Sequence, residues 1–244
     1  ELLPLVRADE YLLIRQVVNE GAINIDKLVG FNAKVTNSSL KNALYLLNKE
    51  EILVNDKIPF ELNEEYKVHL LDLLEYGIQR EEIEFGDYVG KFRLYGNYYK
   101  EQIFRVLEEN NLMFMKGTKF TDENITYCFV NLHKDLKPED KLNYKDKFIS
   151  PSKFQWESET NTTLTNSTGK RIKSTEVVHL FVRKMDNENG INLPYTYFGT
   201  GRFKNIKENI ERTDSKTLIM DIELDNIVPD DYLFDFDIPA EEGE

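Results

Sequence analysis

From Thr126 to Leu224 the sequence falls into short β-prone runs separated by turn residues, and this pattern restricts the fold more than any other feature. The runs are Thr126–Leu132, Phe154–Ser158, Val177–Arg183, Tyr195–Phe198 and Leu218–Leu224. The clearest turn is Asp186-Asn187-Glu188-Asn189-Gly190, whose residues suit a hairpin loop. Strands at this spacing pair with near neighbours, which predicts a mostly antiparallel curled sheet or small barrel. A helix from Tyr98 to Glu109, with Ile103, Val106 and Leu107 inward, is expected ahead of it.

The first part of the chain has a helical period instead. Ala8 to Asn19 places Tyr11, Leu12, Ile14, Val17 and Val18 close to helical spacing, and Gly21 suits the exit. Ser38 and Ser39 are candidate N-caps for a helix over Leu40 to Lys49, striped by Leu40, Ala43, Leu44 and Leu47. Ile52–Val54 and Ile58–Phe60 read as a short strand and turn. A third helix is expected from Asn63 to Tyr76, with Val68, Leu71 and Leu74 inward and Gly77 as its stop. The acidic, glycine-containing stretch from Gln79 to Gly90 reads as a boundary. The fold class expected is α+β. Residues 1–88 form a helical, winged-helix-like accessory module. Residues 89–244 form the β-rich domain with flanking helices and an acidic tail. From Pro229 that tail alternates Tyr232, Phe234 and Phe236 with acids, and either packs as an edge segment or stays mobile.

Charge is segregated. The net charge of −13 argues against a general polyanion binder. Residues 141–216 nevertheless carry 14 Lys and Arg against 9 Asp and Glu, and residues 221–244 carry ten acids and no base. Apolar content of 41% supports a core, and no window reaches the length of a membrane span. With no signal peptide visible, a cytoplasmic location is expected; the abrupt start at Glu1-Leu2-Leu3-Pro4 reads as an excised fragment.

Much chemistry is excluded. There is no P-loop: Gly199-Thr200-Gly201-Arg202 is too short. His133-Lys134-Asp135 misses the phospholipase-D-type spacing by one position. Glu139-Asp140-Lys141, with Asp122 upstream, is a weak metal-nuclease match of a kind that chance supplies in a chain 31% charged. Cys128 sits in an apolar run and reads as a buried hydrophobe, and His69, His133 and His179 lack metal-ligand spacing. No cofactor and no catalytic residue is expected.

The only tryptophan, Trp156, lies in Lys153-Phe154-Gln155-Trp156-Glu157-Ser158, among amides, hydroxyls and cations. Strand alternation puts Phe154, Trp156 and Ser158 on one face, and Tyr195 and Tyr197 together in a later run. Two such aromatic pairs on adjacent strands make a slot about one ring thick, where a base gains on the order of 1–3 kcal/mol by stacking. Lys145, Lys147, Lys153, Lys170, Arg171, Lys173, Arg202 and Lys204 are the candidate phosphate contacts. The competing reading makes the rings ordinary sheet core, preferred for Phe181 and evenly balanced for Trp156 and the two tyrosines.

Several spaced motifs occur in order: Tyr95-Gly96-x-Tyr98, Gly117-Thr118-Lys119-Phe120, Phe154-x-Trp156-x-Ser158, Gly169 with Ile172, Leu180-Phe181-Val182-Arg183 and Pro194-Tyr195-x-Tyr197-x-Gly199. On these, residues 92–225 resemble the C-terminal domain of unknown function of bacterial proteins that fuse a phospholipase-D-type nuclease, a DEAD-box helicase and this module. SauUSI-like type IV restriction enzymes, which attack DNA with modified cytosine, are of this kind. The family often has His where this chain has Gln155.

The resemblance implies a PUA- or SRA-like barrel that flips 5-methylcytosine or 5-hydroxymethylcytosine out of a duplex, in a parent ATP-dependent restriction enzyme whose helicase and nuclease domains are its partners. Flipping costs a few kcal/mol, to be recovered by stacking and edge hydrogen bonds. Trp156 and Tyr197 are the expected stacking residues, with Phe154 and Tyr195 as second choices. Gln155, Ser158, Asn161, Thr162 and backbone amides are candidates for the base edge. A buried methyl adds only about 0.8 kcal/mol, so the preference over plain cytosine is modest. Two rival readings are an interaction module with no base readout and a nuclease using Glu139 and Lys141.

Overall fold

The computed structural model describes residues 7–31, 35–83, 88–107, 117–133, 145–188, 190–212 and 214–240. It is a mixed α/β chain with five α-helices and a large, mostly antiparallel sheet among these residues. The chain divides into two units, Glu1–Arg93 with Tyr99–Phe114, and Leu94–Tyr98 with Met115–Glu244.

The first unit is helical. Helices α1 (Ala8–Glu20), α2 (Asn37–Lys49) and α3 (Glu64–Ile83) bury Leu12, Leu13, Ile14, Leu40, Leu47, Leu74 and Ile78 in one core. Helix α1 ends as expected, with Gly21 in the left-handed region at φ 71°. The α2 cap lies further upstream than expected. Thr36 Oγ1 accepts from the Ser39 amide at 3.1 Å, and Ser39 Oγ accepts from the Thr36 amide at 2.8 Å. Ser39 is thus the reciprocal partner in a capping box rather than the cap. Helix α3 runs through Gly77 instead of stopping there. The glycine is needed for close packing, since a Cβ would lie 2.6 Å from the Tyr11 ring. Val68, expected inside, is exposed. The strand expected near residue 53 is only a bridge between Val54 and Lys57.

Two short strands, β1 (Tyr88–Val89) and β2 (Phe92–Arg93), pair in this unit, and α4 (Lys100–Val106) belongs to it. Residues 108 and 109 of the helix expected there lie outside the described residues. On α4, Arg105 is fully buried, 3.3 Å from Glu10 and paired with Glu50. Burial pulls the guanidinium pKa down, and Glu10 opposes that shift.

The second unit is built on eight strands. They are β3 (Asn97–Tyr98), β4 (Thr118–Phe120), β5 (Ile125–Asn131), β6 (Lys147–Ser150), β7 (Lys153–Glu157), β8 (Val177–Arg183), β11 (Tyr195–Glu208) and β12 (Leu218–Leu224). The order is β4-β5-β8-β11-β12-β7-β6, with β3 also on β11, and only β5 and β8 run parallel. The hairpin expected at 186–190 is the small pair β9 (Asn187–Glu188) and β10 (Ile191–Asn192). Helix α5 (Ser167–Ser174) is capped by Asn166, whose Oδ1 accepts from the Gly169 amide. One sheet face carries the core: Cys128, Val130, Phe154, Trp156, Leu180, Val182, Phe198, Met220 and Ile222. The acidic tail is packed as far as Ile238. Tyr232 stacks on Tyr95 at 4.8 Å, Phe236 meets Phe198 edge-on at 4.9 Å, and Ile238 is buried. It includes a 3-10 turn over Asp230–Tyr232.

Candidate nucleic-acid interface

The sheet face opposite the core is a set of registered rows. Lys119, Tyr127, His179 and Thr200 are cross-strand partners over β4, β5, β8 and β11. Phe129, Phe181 and Tyr197 form the next row. Further along β11, Arg202 pairs with Glu223 and Lys153, and Lys204 with Asp221, Gln155 and Lys147. Directly opposed residues share a face, so aromatic and polar rows adjoin on one surface.

A bulge makes this possible. Tyr197 and Thr200 are three positions apart and would alternate to opposite faces in a regular strand. The register shifts between them, and Gly199 takes φ 88°. A Cβ there would lie 2.9 Å from both Leu94 and Asn226, so glycine is required by space as well as by φ. Phe198 goes to the core while Tyr197, Thr200 and Arg202 share the opposite face.

At the heart of that face His179 Nδ1 and the Tyr197 hydroxyl share a hydrogen bond of 2.7 Å. Tyr127 stacks on His179 at 4.6 Å, and Phe181 lies 4.7 Å from Tyr197. Burial depresses the His179 pKa to about 4, so the ring is neutral at physiological pH. Burial also raises the Tyr197 hydroxyl, with Tyr127, Tyr98 and Asp225 adding to the shift. The pair is therefore uncharged. Next to it the surface opens. Thr200 Oγ1 donates to Asp225 at 2.7 Å, and Arg202 Nη1 donates to its other carboxylate oxygen at 2.8 Å. This carboxylate is half-exposed and held in a fixed orientation. At the far end of the aromatic face Arg183 lies 4.3 Å over the Tyr195 ring, bonded to Asn131 and the Leu193 carbonyl.

The residues singled out in the sequence are not brought together as expected. Phe154 and Trp156 point to the core, Trp156 stacking on Phe203 at 5.3 Å, whereas Tyr195 and Tyr197 point the other way. Strand β12 also separates β7 from β11, so the two aromatic pairs form no common slot. Ser158 is structural: its amide donates to the Leu218 carbonyl and its Oγ accepts from the Leu218 amide, each at 2.8 Å. Thr162 is buried with its amide on the Lys216 carbonyl, and Asn161 is an exposed turn residue at φ 61°. Gln155 Nε2 donates to the Lys145 carbonyl at 2.7 Å. Lys147, Lys153, Arg202 and Lys204 do line the polar rows. Lys170, Arg171 and Lys173 are exposed on α5, away from those rows, with Arg171 over Phe120 at 5.1 Å. Lys145 is paired with Glu211. Strand alternation puts His179 on one face with Phe181 and Arg183, but only the bulge and the strand order bring Tyr127, Thr200 and Asp225 beside it. Glu139 and Lys141 lie outside the described residues, and no group of three or more candidate metal ligands occurs among those described. No described helix is long and apolar enough to cross a membrane.

Against known families, residues 92–236 match the model of a domain of unknown function, DUF3427. The chain belongs to the DUF3427 family. The match covers the whole eight-stranded sheet of this DUF3427 chain and the first half of its tail. No curated protein matches it. Among solved structures it is similar to Arabidopsis thaliana SUVH6 in complex with SAM, at TM-score 0.43 and 9% identity over 91% of this chain and 40% of that one. KRYPTONITE in complex with mCHH DNA, a histone H3 peptide and SAH gives 0.40 and 9%, over 90% and 44%. The MspJI restriction endonuclease with a 27-mer oligonucleotide gives 0.29 and 8%, over 45% and 31%. The DUF3427 chain thus spans less than half the length of each of these proteins, and likeness at this level carries no functional argument.

Proposed function

We propose that this DUF3427 chain is a non-catalytic target-recognition module that binds duplex DNA containing 5-methylcytosine or 5-hydroxymethylcytosine by taking the base out of the stack. The observation that carries the reading is the uncharged Tyr127–His179–Tyr197 shelf bordered by the oriented Asp225 carboxylate. Tyr127, His179 and Tyr197 are themselves buried, so a base lodged at the Thr200–Asp225 margin borders the shelf on one side and meets the Asp225 acceptor on the other. Stacking is worth on the order of 1–3 kcal/mol, comparable with the cost of flipping. Asp225 accepts from the 4-amino group of a cytosine. Thymine presents a carbonyl there and leaves the carboxylate facing an acceptor, a mismatch of about 1–3 kcal/mol. Lys147, Lys153 and Lys204, exposed or half-exposed on the adjoining rows, suit the phosphates.

The resemblance of residues 92–225 to the C-terminal module of nuclease–helicase restriction proteins supports a parent ATP-dependent type IV restriction enzyme in the cytoplasm. Within such a parent the sheet is a curled, SRA-like reader and the helical unit a winged-helix-like accessory. The near-complete burial of Tyr127, His179 and Tyr197 favours a second reading, an interaction module without base readout.

Fluorescence titration of methylated and unmodified duplexes at stated salt separates the two, using labelled DNA because Trp156 is core in either case. A preference of a few-fold for the methylated duplex, lost in Asp225→Asn and Tyr197→Ala, supports the reader. Equal affinities sink it.

A further inference from the structure

The helical unit carries a second feature that the proposed reader does not use. Residues 27–49 hold four lysines and no acid, although 44 acids in 244 residues would place about four in any stretch of 23. The rest of residues 1–93 carries 17 acids and seven bases. The acid-free stretch ends in α2, and the exposed side of that helix is a single row. Ser38, Lys41, Tyr45 and Lys49 are all exposed, and at about 100° per residue they fall within about 80° of one another. The opposite side, Leu40, Ala43, Leu46 and Leu47, is core. The Lys49 ammonium lies over the Tyr45 ring at 5.9 Å. Lys41 makes no ion pair among the described residues. Lys57 is exposed on the tight turn after α2, and Asp56 of that turn is tied to the helix by Asn48 at 2.6 and 2.9 Å.

We infer that this α2 face is a sequence-independent contact for a nucleic-acid phosphate backbone. Lys41 and Lys49 are eight residues apart, about 12 Å along the axis, far enough for the two ammonium groups to reach different phosphates of one strand. No carboxylate stands on the row, so it favours an anionic partner, although the unit around it is acidic. Ser38 and Tyr45 add hydroxyls of the kind that contact phosphate and sugar without reading sequence. Core residues need not move for the contact to form.

The inference rests on the chain binding DNA, but not on its recognising methylation. Binding of the full chain to unmodified and methylated duplexes is measured from about 50 to 200 mM salt. Lys41→Glu/Lys49→Glu is expected to weaken both duplexes by about tenfold or more at the low end, and to flatten the log–log salt slope by about two. The methylated-to-unmodified ratio stays unchanged. Lys41→Gln/Lys49→Gln, which adds no new charge, is expected to change the slope in the same direction, and thermal melts establish that both variants fold. An unchanged slope in both folded variants overturns the inference, and is the result expected if this face docks an acidic protein surface instead. Equal affinity for the two duplexes combined with a flattened slope defeats the methylation reading and leaves this contact standing.

Discussion

His179 is a histidine that its surroundings keep from acting as one. Burial holds its pKa at about 4, below the ordinary value near 6.5, so the unfolded chain binds more protons than the folded chain between those limits. Stability is therefore expected to fall as pH drops from about 6.5 towards 4. A His179→Gln variant is expected to lose that part of the pH dependence, as measured by denaturant midpoints across the range. Glu157 behaves in the opposite sense. Burial alone would raise its carboxyl. Hydrogen bonds from Thr217 at 2.6 Å, the Lys145 amide at 2.9 Å and Asn209 at 3.0 Å outweigh that, together with the Arg212 charge, and hold it below the usual range. Its contribution is present above the unfolded pKa of about 4.3 and is lost as pH falls through the folded value. Truncation to Glu157→Ala removes the shorter of the two carboxylate contacts of the buried Arg212 and should cost about 3–5 kcal/mol in urea unfolding, whereas Glu157→Gln should cost less.

At the scale of elements the long strand β11 does the most for the candidate site. Its first half reads plainly as a strand, but it continues to Glu208 through residues of mixed polarity. The cause is pairing along its length, β8 and β3 along its first half and β12 along its second, with a register shift inside each half. A Gly199→Ala substitution puts a Cβ into contacts of 2.9 Å at a positive φ. A loss of about 1–3 kcal/mol is expected in thermal melts, with a weaker preference for methylated duplex because Tyr197 and Thr200 are displaced relative to one another. Strand runs such as Val177–Arg183 and Leu218–Leu224 were legible because buried strands in a large sheet are continuously apolar. Strands β4 and β6 were not, since three or four residues at a sheet edge carry too little pattern. Gly77 misled because a glycine demanded by close packing looks the same as one that ends a helix.

For the molecule as a whole, charge segregation is the property with the clearest consequence. The acidic tail does not trail away from the second unit: Tyr232, Leu233, Phe236 and Ile238 pack on the same core as Trp156. Removing residues 229–244 is expected to expose that core, lower the melting temperature and increase binding of an apolar dye, and a truncated chain with an unchanged melt would contradict this.

Residue order alone determined that the chain has a helical part and a β-rich part, and that its cations collect between residues 141 and 216. Period and composition are local properties, so they can be read without contacts. Only the tertiary structure decided which face each aromatic ring takes. Strand order placed β12 between the two aromatic pairs, and one bulge set Tyr197 beside Thr200. An alternation of period two is reversed by a single extra residue, and nothing local in the sequence announces where that residue falls.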